Sequence, residues 1–151
     1  MEFQNRSSFQ WRDLGVGEDW GGGASPSMGS PDPEMVANLL VAMGVDGSSR
    51  VNVAQWTGYA GVVYPEGGVP MRFPPSRDSM VWETTASGLL LLDRVPMRWW
   101  HPELDWAVGN DIYGRSLFIS GSQSMVQRVV ASDLVEAFPV AFDDPVTPED
   151  E

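Results

Sequence analysis

The strongest apolar periodicity in the chain predicts a first helix near residues 33–43. Asp32 is a residue type that caps helix starts, Pro33 suits the first helical position, and Gly44 suits the C-terminal cap. The apolar side chains that recur at helical spacing between these caps are Met35, Val36, Leu39, Leu40 and Met43. One face of this helix is therefore expected to pack on a core.

A second principal helix is predicted near residues 122–132. Ser122 can cap its first turn, and Gly121 breaks the strand-like run that precedes it. The apolar side chains that then share one helical face are Met125, Val126, Val129 and Val130. This helix, like the first, is expected to bury one face.

Short segments rich in β-forming residues predict a mainly antiparallel sheet of about five strands. The predicted strands are Val51 with Val53, the runs 59–64, 79–85, 105–112 and 116–120, and a short edge strand within 134–142. The connection 113–115 predicts an antiparallel hairpin. Residues 71–77 are predicted as extended chain or loop, and residues 88–94 as a buried strand or a short helix. The predicted fold class is α+β.

The chain is expected to form one domain with irregular ends. Its 151 residues fit the commonest domain size. Residues 1–31 are predicted to be an irregular N-terminal segment, and residues 32–142 a single α+β domain. Residues 143–151 are acidic and interrupted by proline, which is typical of a disordered tail.

Charge and cysteine content narrow the function classes. The net charge is −12, and the sequence has no cysteine. Thiol catalysis, disulfides and Cys-ligated metal sites are therefore excluded. The negative charge disfavours nucleic acid and anionic membranes, and it favours a basic protein partner, although solubility alone would also explain it. With no visible signal peptide, a cytoplasmic protein is expected.

The single histidine is the main candidate for catalysis. His101 is followed closely by Asp105, and a carboxylate can orient an imidazole that acts as a general base. No serine, cysteine or second histidine is spaced locally to complete a triad. The acidic runs lack the spacing of a calcium loop, and no phosphate-binding loop is found. We therefore predict no catalytic residue, no metal site and no cofactor, and keep an enzyme built on His101 with Asp105 or Asp111 as an alternative.

A set of aromatic residues is the best candidate for partner binding. Trp and Tyr are concentrated in the energetic centres of interfaces, although large aromatics are more often buried in a core. If Trp99 and Trp100 lie on a strand, their side chains point to opposite faces. The predicted binding residues are Trp56, Tyr59, Trp99, Trp100, Asp105 and Asp111.

Two sequence elements in the C-terminal half carry a family resemblance. One runs from Trp100 through Pro102 to Asp105-Trp106-Ala107-Val108, and the other is Phe118-Ile119-Ser120-Gly121-Ser122. Through them and the upstream element Trp56-Thr57-Gly58-Tyr59-Ala60-Gly61, residues 50–150 resemble a family of small actinobacterial α+β proteins, and the chain departs from the pattern at His101. The resemblance implies a fold and a lineage but no activity. Residues 106–130 are also similar to the SUKH immunity proteins, by a Trp-containing strand, a glycine turn, a second strand and a helix.

These observations favour a non-enzymatic protein-binding module. We expect an immunity or inhibitor protein that blocks a basic toxin or enzyme, with exposed Trp and Asp side chains docking on Arg or Lys of the partner. A structural or regulatory subunit of a phage or secretion assembly is the second hypothesis, and an enzyme using His101 is the third. The oligomeric state is left open by the sequence.

Overall fold

A computed structural model of the chain describes residues 29–114 and 116–144. In chain order the elements are α1 (Pro33–Met43), β1 (Arg50–Trp56), β2 (Val69–Phe73), β3 (Arg77–Thr85), α2 (Ala86–Leu89), β4 (Arg98–Trp100), β5 (Ala107–Gly109), β6 (Phe118–Ser120) and α3 (Gln123–Val130). The α+β class is confirmed. The predictions for residues 1–28 and 145–151, including most of the N-terminal segment and of the acidic tail, lie outside the described residues.

The strands form one antiparallel sheet of six, in the order β2-β3-β1-β4-β5-β6. β1 lies between two ladders, so Val53 faces Trp82 of β3 on one side and Trp99 of β4 on the other. The register continues outward from Trp99 to Val108 and from Val108 to Ile119. Because side chains alternate along each strand, these residues share one face of the sheet.

The helices cover that face, and the core lies between them and the sheet. Val51, Val53 and Trp99 belong to the same buried cluster as Leu39 and Val129, which come from α1 and α3. The Trp99 ring is fully buried and packs edge-on against Trp106, with ring centroids 5.8 Å apart. Burial of this apolar area is the main term that holds the two layers together.

Local capping explains why α1 begins and ends where the sequence predicts. The Asp32 carboxylate accepts hydrogen bonds from the backbone N–H groups of Glu34 and Met35, at 2.8 and 3.2 Å. Gly44 has φ 75°, a left-handed conformation that glycine adopts without strain, and its N–H closes the last turn. Arg128 of α3 donates to the Met43 carbonyl at 2.8 Å, at the negative end of the α1 dipole.

Helix α3 and the strands β5 and β6 are shorter than predicted. Ser122 caps α3 by accepting a hydrogen bond from the Met125 N–H, as expected, but the helix ends at Val130. β5 and β6 pair in antiparallel fashion, as predicted, but each strand has three residues. β5 ends at Gly109 and β6 begins at Phe118, so neither strand reaches the predicted connection 113–115. Residues 88–94 form no strand. Their first two residues end the short helix α2, and turns and bends follow from residue 90 to residue 94.

Two predicted strands are wrong. Residues 59–61 form a bend and a turn, and residues 62–64 are irregular chain. Tyr59 packs edge-on against Trp56, and the Tyr64 hydroxyl donates to the Trp56 carbonyl at 3.3 Å. Residues 134–142 join no ladder of the described sheet. Residues 71–77, in contrast, are divided between β2 and β3, with Pro74, Pro75 and Ser76 forming the turn of their hairpin.

Candidate functional site

The face of the sheet opposite the helices, here called the open face, carries Trp56 and Trp100. Side chains alternate along β1 and β4, so these two rings point away from Val53 and Trp99. The β2–β3 turn curls across this face. Arg98 donates a hydrogen bond to the Pro74 carbonyl at 2.7 Å, and the Phe73 ring lies 6.0 Å from that of Trp100.

Arg77 is the centre of a cluster that contains three of the predicted binding residues, Trp56, Tyr59 and Asp111. Its guanidinium makes two hydrogen bonds to the Asp111 carboxylate, both 2.9 Å long. It also lies 6.0 Å from the ring centroid of Trp56 and 5.0 Å from that of Tyr113. The hydrogen bond from Arg77 is the main cause that lowers the pKa of Asp111, and the same bond raises the pKa of Arg77. The pair therefore stays charged at neutral pH.

Two further arginines stack on aromatic rings beside this pair. The guanidinium of Arg94 lies 4.1 Å from the Tyr59 ring centroid, and that of Arg98 lies 5.3 Å from the Phe73 centroid. Burial lowers the pKa of Arg98, whose guanidinium donates to the carbonyls of Asn110 and Pro74. The members of this cation–aromatic cluster are Trp56, Tyr59, Phe73, Arg77, Arg94, Arg98, Asp111 and Tyr113.

The cation–aromatic cluster is closely packed. A cavity of about 20 Å³ lies beneath it, next to the buried side chains of Gln55 and Ser79, and this is room for about one water molecule. An open groove of about 320 Å³ borders the cluster at Arg94, between residues 30–33 and 93–95. The cluster thus fixes the β2–β3 turn to the rest of the sheet.

The two adjacent tryptophans have opposite surroundings, which confirms the predicted alternation. Trp99 is fully buried, so its place among the predicted binding residues is wrong, since no partner can reach its ring in this fold. Trp100 is half-buried on the open face beside Phe73. The sequence could not decide which ring points inward, because that depends on the register with Val53.

His101 and Asp105 lie together on the tight turn that joins β4 to β5. The turn is closed by hydrogen bonds from the His101 N–H to the Trp106 carbonyl and from the Leu104 N–H to the His101 carbonyl. His101 Nδ1 lies 3.5 Å from Asp105 Oδ2 and 3.2 Å from the Glu103 backbone nitrogen, which donates to it. Neither of the two cavities is lined by His101. Asp111 lies with Arg77 instead.

The described part of the surface carries negative charge that arginine does not compensate. Three of its 14 carboxylates, those of Asp78, Glu83 and Asp111, are ion-paired with arginine. The six described arginines are all engaged within the molecule: Arg50, Arg72 and Arg77 with carboxylates, Arg94 with a ring, and Arg98 and Arg128 with backbone carbonyls. Cationic groups for the remaining carboxylates would therefore have to come from outside these residues.

A second surface, the C-terminal strip, consists of Leu134, Phe138, Val140 and Phe142. All four side chains are more than 40% exposed, and that of Phe142 is fully exposed. Acidic residues are interleaved with the strip and follow it, at Glu136, Asp143 and Asp144. Sequence reasoning missed this surface because the apolar alternation of residues 134–142 was interpreted as an edge strand. The alternation is real, since Val135 and Ala137 pack against the core.

Comparison with known proteins adds no relative: no family model, curated protein or solved structure matches the chain. The resemblances to the actinobacterial family and to the SUKH proteins stay predictions. Among the described residues, no helix has both the length and the apolar character needed to span a membrane.

Proposed function

We propose that the chain is a non-enzymatic module that binds a basic protein, as an immunity or inhibitor protein does when it neutralises a toxin or enzyme. The observation that carries the proposal is the C-terminal strip, whose exposed apolar side chains have one carboxylate among them, Glu136, and two directly after them, Asp143 and Asp144. Large exposed apolar patches bordered by polar residues mark interaction sites more often than isolated apolar residues do. The excess of 14 carboxylates over six arginines among the described residues adds a negative field that attracts cations.

The strip and the carboxylates have different roles in this proposal. Phe138, Val140 and Phe142 supply apolar area that a partner groove desolvates, and residues of this kind provide most of the free energy of an interface. Glu136, Asp143 and Asp144 pair with Lys or Arg at the rim, where charges chiefly raise the association rate. The partner surface is therefore an apolar groove bordered by basic residues.

The five predicted binding residues other than the buried Trp99 then divide into two groups. Trp56, Tyr59 and Asp111 belong to the cation–aromatic cluster and hold the β2–β3 turn in place. Trp100 and Asp105 remain accessible at the open face and at the β4–β5 turn. The proposal keeps Trp100 and Asp105 as contact residues, and it assigns the other three a structural role.

Coexpression with the product of the adjacent gene, followed by copurification and a binding titration, tests the proposal. We expect a one-to-one complex whose association rate falls as NaCl is raised. Substitution of Val140 and Phe142 by serine should weaken binding about tenfold or more, the loss expected for central contacts. Val63→Ser is the matched control, because Val63 is 91% exposed but lies outside the strip.

Three results would contradict this proposal. They are the absence of a complex, an association rate independent of salt, and equal weakening by the control. Circular dichroism of each variant separates loss of contact from loss of fold. A subunit of a larger assembly would bury the same strip between copies of this chain, and light scattering would then report oligomers that the serine variant dissociates.

A further inference from the structure

The β4–β5 turn places three side chains with metal-ligating atoms on one side of the chain. His101, Glu103 and Asp105 are spaced two residues apart, and their ligating atoms all lie within 4.8 Å of one another. The turn is anchored at both ends, because His101 and Trp106 are joined by a backbone hydrogen bond and Trp106 is buried. The group is thus held by the sheet.

The distance between the imidazole and the nearer carboxylate fits a tetrahedral ion. Two ligands bound about 2.1 Å from Zn²⁺ lie about 3.4 Å apart in that geometry. His101 Nδ1 and Asp105 Oδ2 are 3.5 Å apart. Glu103 is exposed, so rotation of its side chain can bring its carboxylate to a third position. The pair at 3.5 Å needs little rearrangement to bind an ion.

Two groups near the turn could compete with an ion. The Glu103 N–H donates to His101 Nδ1, and an ion bound there would take the same lone pair in place of this long hydrogen bond of 3.2 Å. Arg50 interacts electrostatically with Glu103, but its guanidinium is held by Glu83 through two hydrogen bonds of 2.9 and 2.6 Å. Arg50 therefore leaves the Glu103 carboxylate available.

We propose that His101, Glu103 and Asp105 form a site for a divalent transition-metal ion such as Zn²⁺, with water completing the coordination. One imidazole and two carboxylates suit zinc and its neighbours, whereas Ca²⁺ and Mg²⁺ favour six or more oxygen ligands. Bound Zn²⁺ neutralises the two carboxylate charges of the turn and ties His101 to Asp105. This site uses no residue of the C-terminal strip, although it shares Asp105 with the contact residues of the proposed function.

Calorimetry with ZnCl₂ on the full chain, purified without a polyhistidine tag, tests the site. The chain has one histidine and no cysteine, so His101 is its only nitrogen or sulfur ligand of the kind that zinc prefers. We expect saturable one-to-one binding, weakened at least about tenfold by His101→Ala and by Asp105→Asn. Asp133→Asn, a carboxylate on another segment, is the matched control and should bind as the wild type does.

A second measurement makes the test independent of how the variants fold. The imidazole resonances of the single histidine in the wild-type protein should shift with Zn²⁺ and saturate at the same ratio. Co²⁺ should also quench Trp106, whose ring centroid lies 6.1 Å from that of His101. Unchanged imidazole resonances, or equal binding by His101→Ala, would mean adventitious association with surface carboxylates only and would overturn the proposal.

Discussion

The Arg77–Asp111 ion pair connects β3 to the loop after β5, and its removal tests why the β2–β3 turn stays on the open face. Its side chains are 23% and 27% exposed, and the two hydrogen bonds are both 2.9 Å long. Hydrogen bonds to charged groups contribute about 1.5–3 kcal/mol, while exposed ion pairs contribute about 0.2–1 kcal/mol. For this partly buried pair we expect a coupling free energy of about 1.5 kcal/mol.

A double-mutant cycle measures that coupling directly. Asp111→Asn, Arg77→Met and the double variant are compared by urea unfolding at pH 7, followed by tryptophan fluorescence. Asp111→Asn alone should lower the free energy of unfolding by about 2 kcal/mol, because it leaves a partly desolvated guanidinium without its carboxylate. The coupling free energy is the difference between the loss caused by Asp111→Asn in the wild type and the loss caused by the same substitution in Arg77→Met.

The same hairpin supplies a matched control. Arg72 and Asp78 also form two hydrogen bonds, at 2.8 and 3.2 Å, but their side chains are 67% and 65% exposed. Because water screens this pair, its coupling should be clearly smaller than that of Arg77 with Asp111. Equal couplings for the two pairs, or no coupling for Arg77 with Asp111, would refute the reasoning from burial.

Acid titration gives the same pair a second test. The hydrogen bond from Arg77 holds the pKa of Asp111 below the ordinary aspartate value of 3.8. A group whose pKa is lowered in the folded state stabilises the protein at pH values above its pKa in the unfolded chain, about 3.9. This contribution is lost as the pH falls through the lowered pKa of the folded state. The stability gap between the wild type and Asp111→Asn should therefore narrow as the pH falls below about 4. A gap that stays constant to pH 2 contradicts the assigned cause.

Three other substitutions test the packing and the surface. Gly44→Ala should cost about 1–2 kcal/mol in thermal unfolding, because φ 75° strains any residue with a Cβ atom. Leu39→Ala should cost about 2–5 kcal/mol in urea unfolding, whereas Val41→Ala on the exposed side of α1 should change stability by less than about 0.5 kcal/mol. Phe142→Ser should leave the free energy of unfolding within about 0.5 kcal/mol of the wild type, and a larger loss would mean that its ring packs on the domain.

The parts of the fold that the sequence predicted correctly depend on local interactions. The bounds of α1 follow from Asp32, Pro33 and Gly44, whose hydrogen bonds and backbone angles involve residues of the same helix or its ends. The start of α3 follows from Ser122 in the same way. These signals are contained in a few neighbouring residues, so one sequence is enough to find them.

The parts that were missed depend on contacts between distant residues. Pro74 and Pro75 predict a break in regular secondary structure. In the fold they lie in the β2–β3 turn, where Arg98 of β4 donates a hydrogen bond to the Pro74 carbonyl. Residues 59–64 have strand composition, but packing of Tyr59 on Trp56 turns the chain back. β-propensity mainly reflects such packing, so composition alone could not separate a strand from an aromatic turn.

The candidate site shows the same division. The sequence indicated the alternation of Trp99 and Trp100, but only the pairing of Trp99 with Val53 decides which ring is buried. It indicated that His101 is near Asp105, and the closed turn adds the 3.5 Å separation. It gave no sign that Asp111 pairs with Arg77, because the two residues are 34 positions apart.

The position of β1 has a consequence for how the protein opens. β1 joins the β2–β3 hairpin to the β4–β5–β6 meander, so its loss would divide the sheet into two separate pieces. β1 has a paired strand on each side, so an amide of this strand that belongs to a ladder meets solvent only when a central ladder opens. Native-state hydrogen exchange at Val51 and Val53 should therefore report the global unfolding free energy, while β2 and β6, at the two edges, exchange through smaller openings.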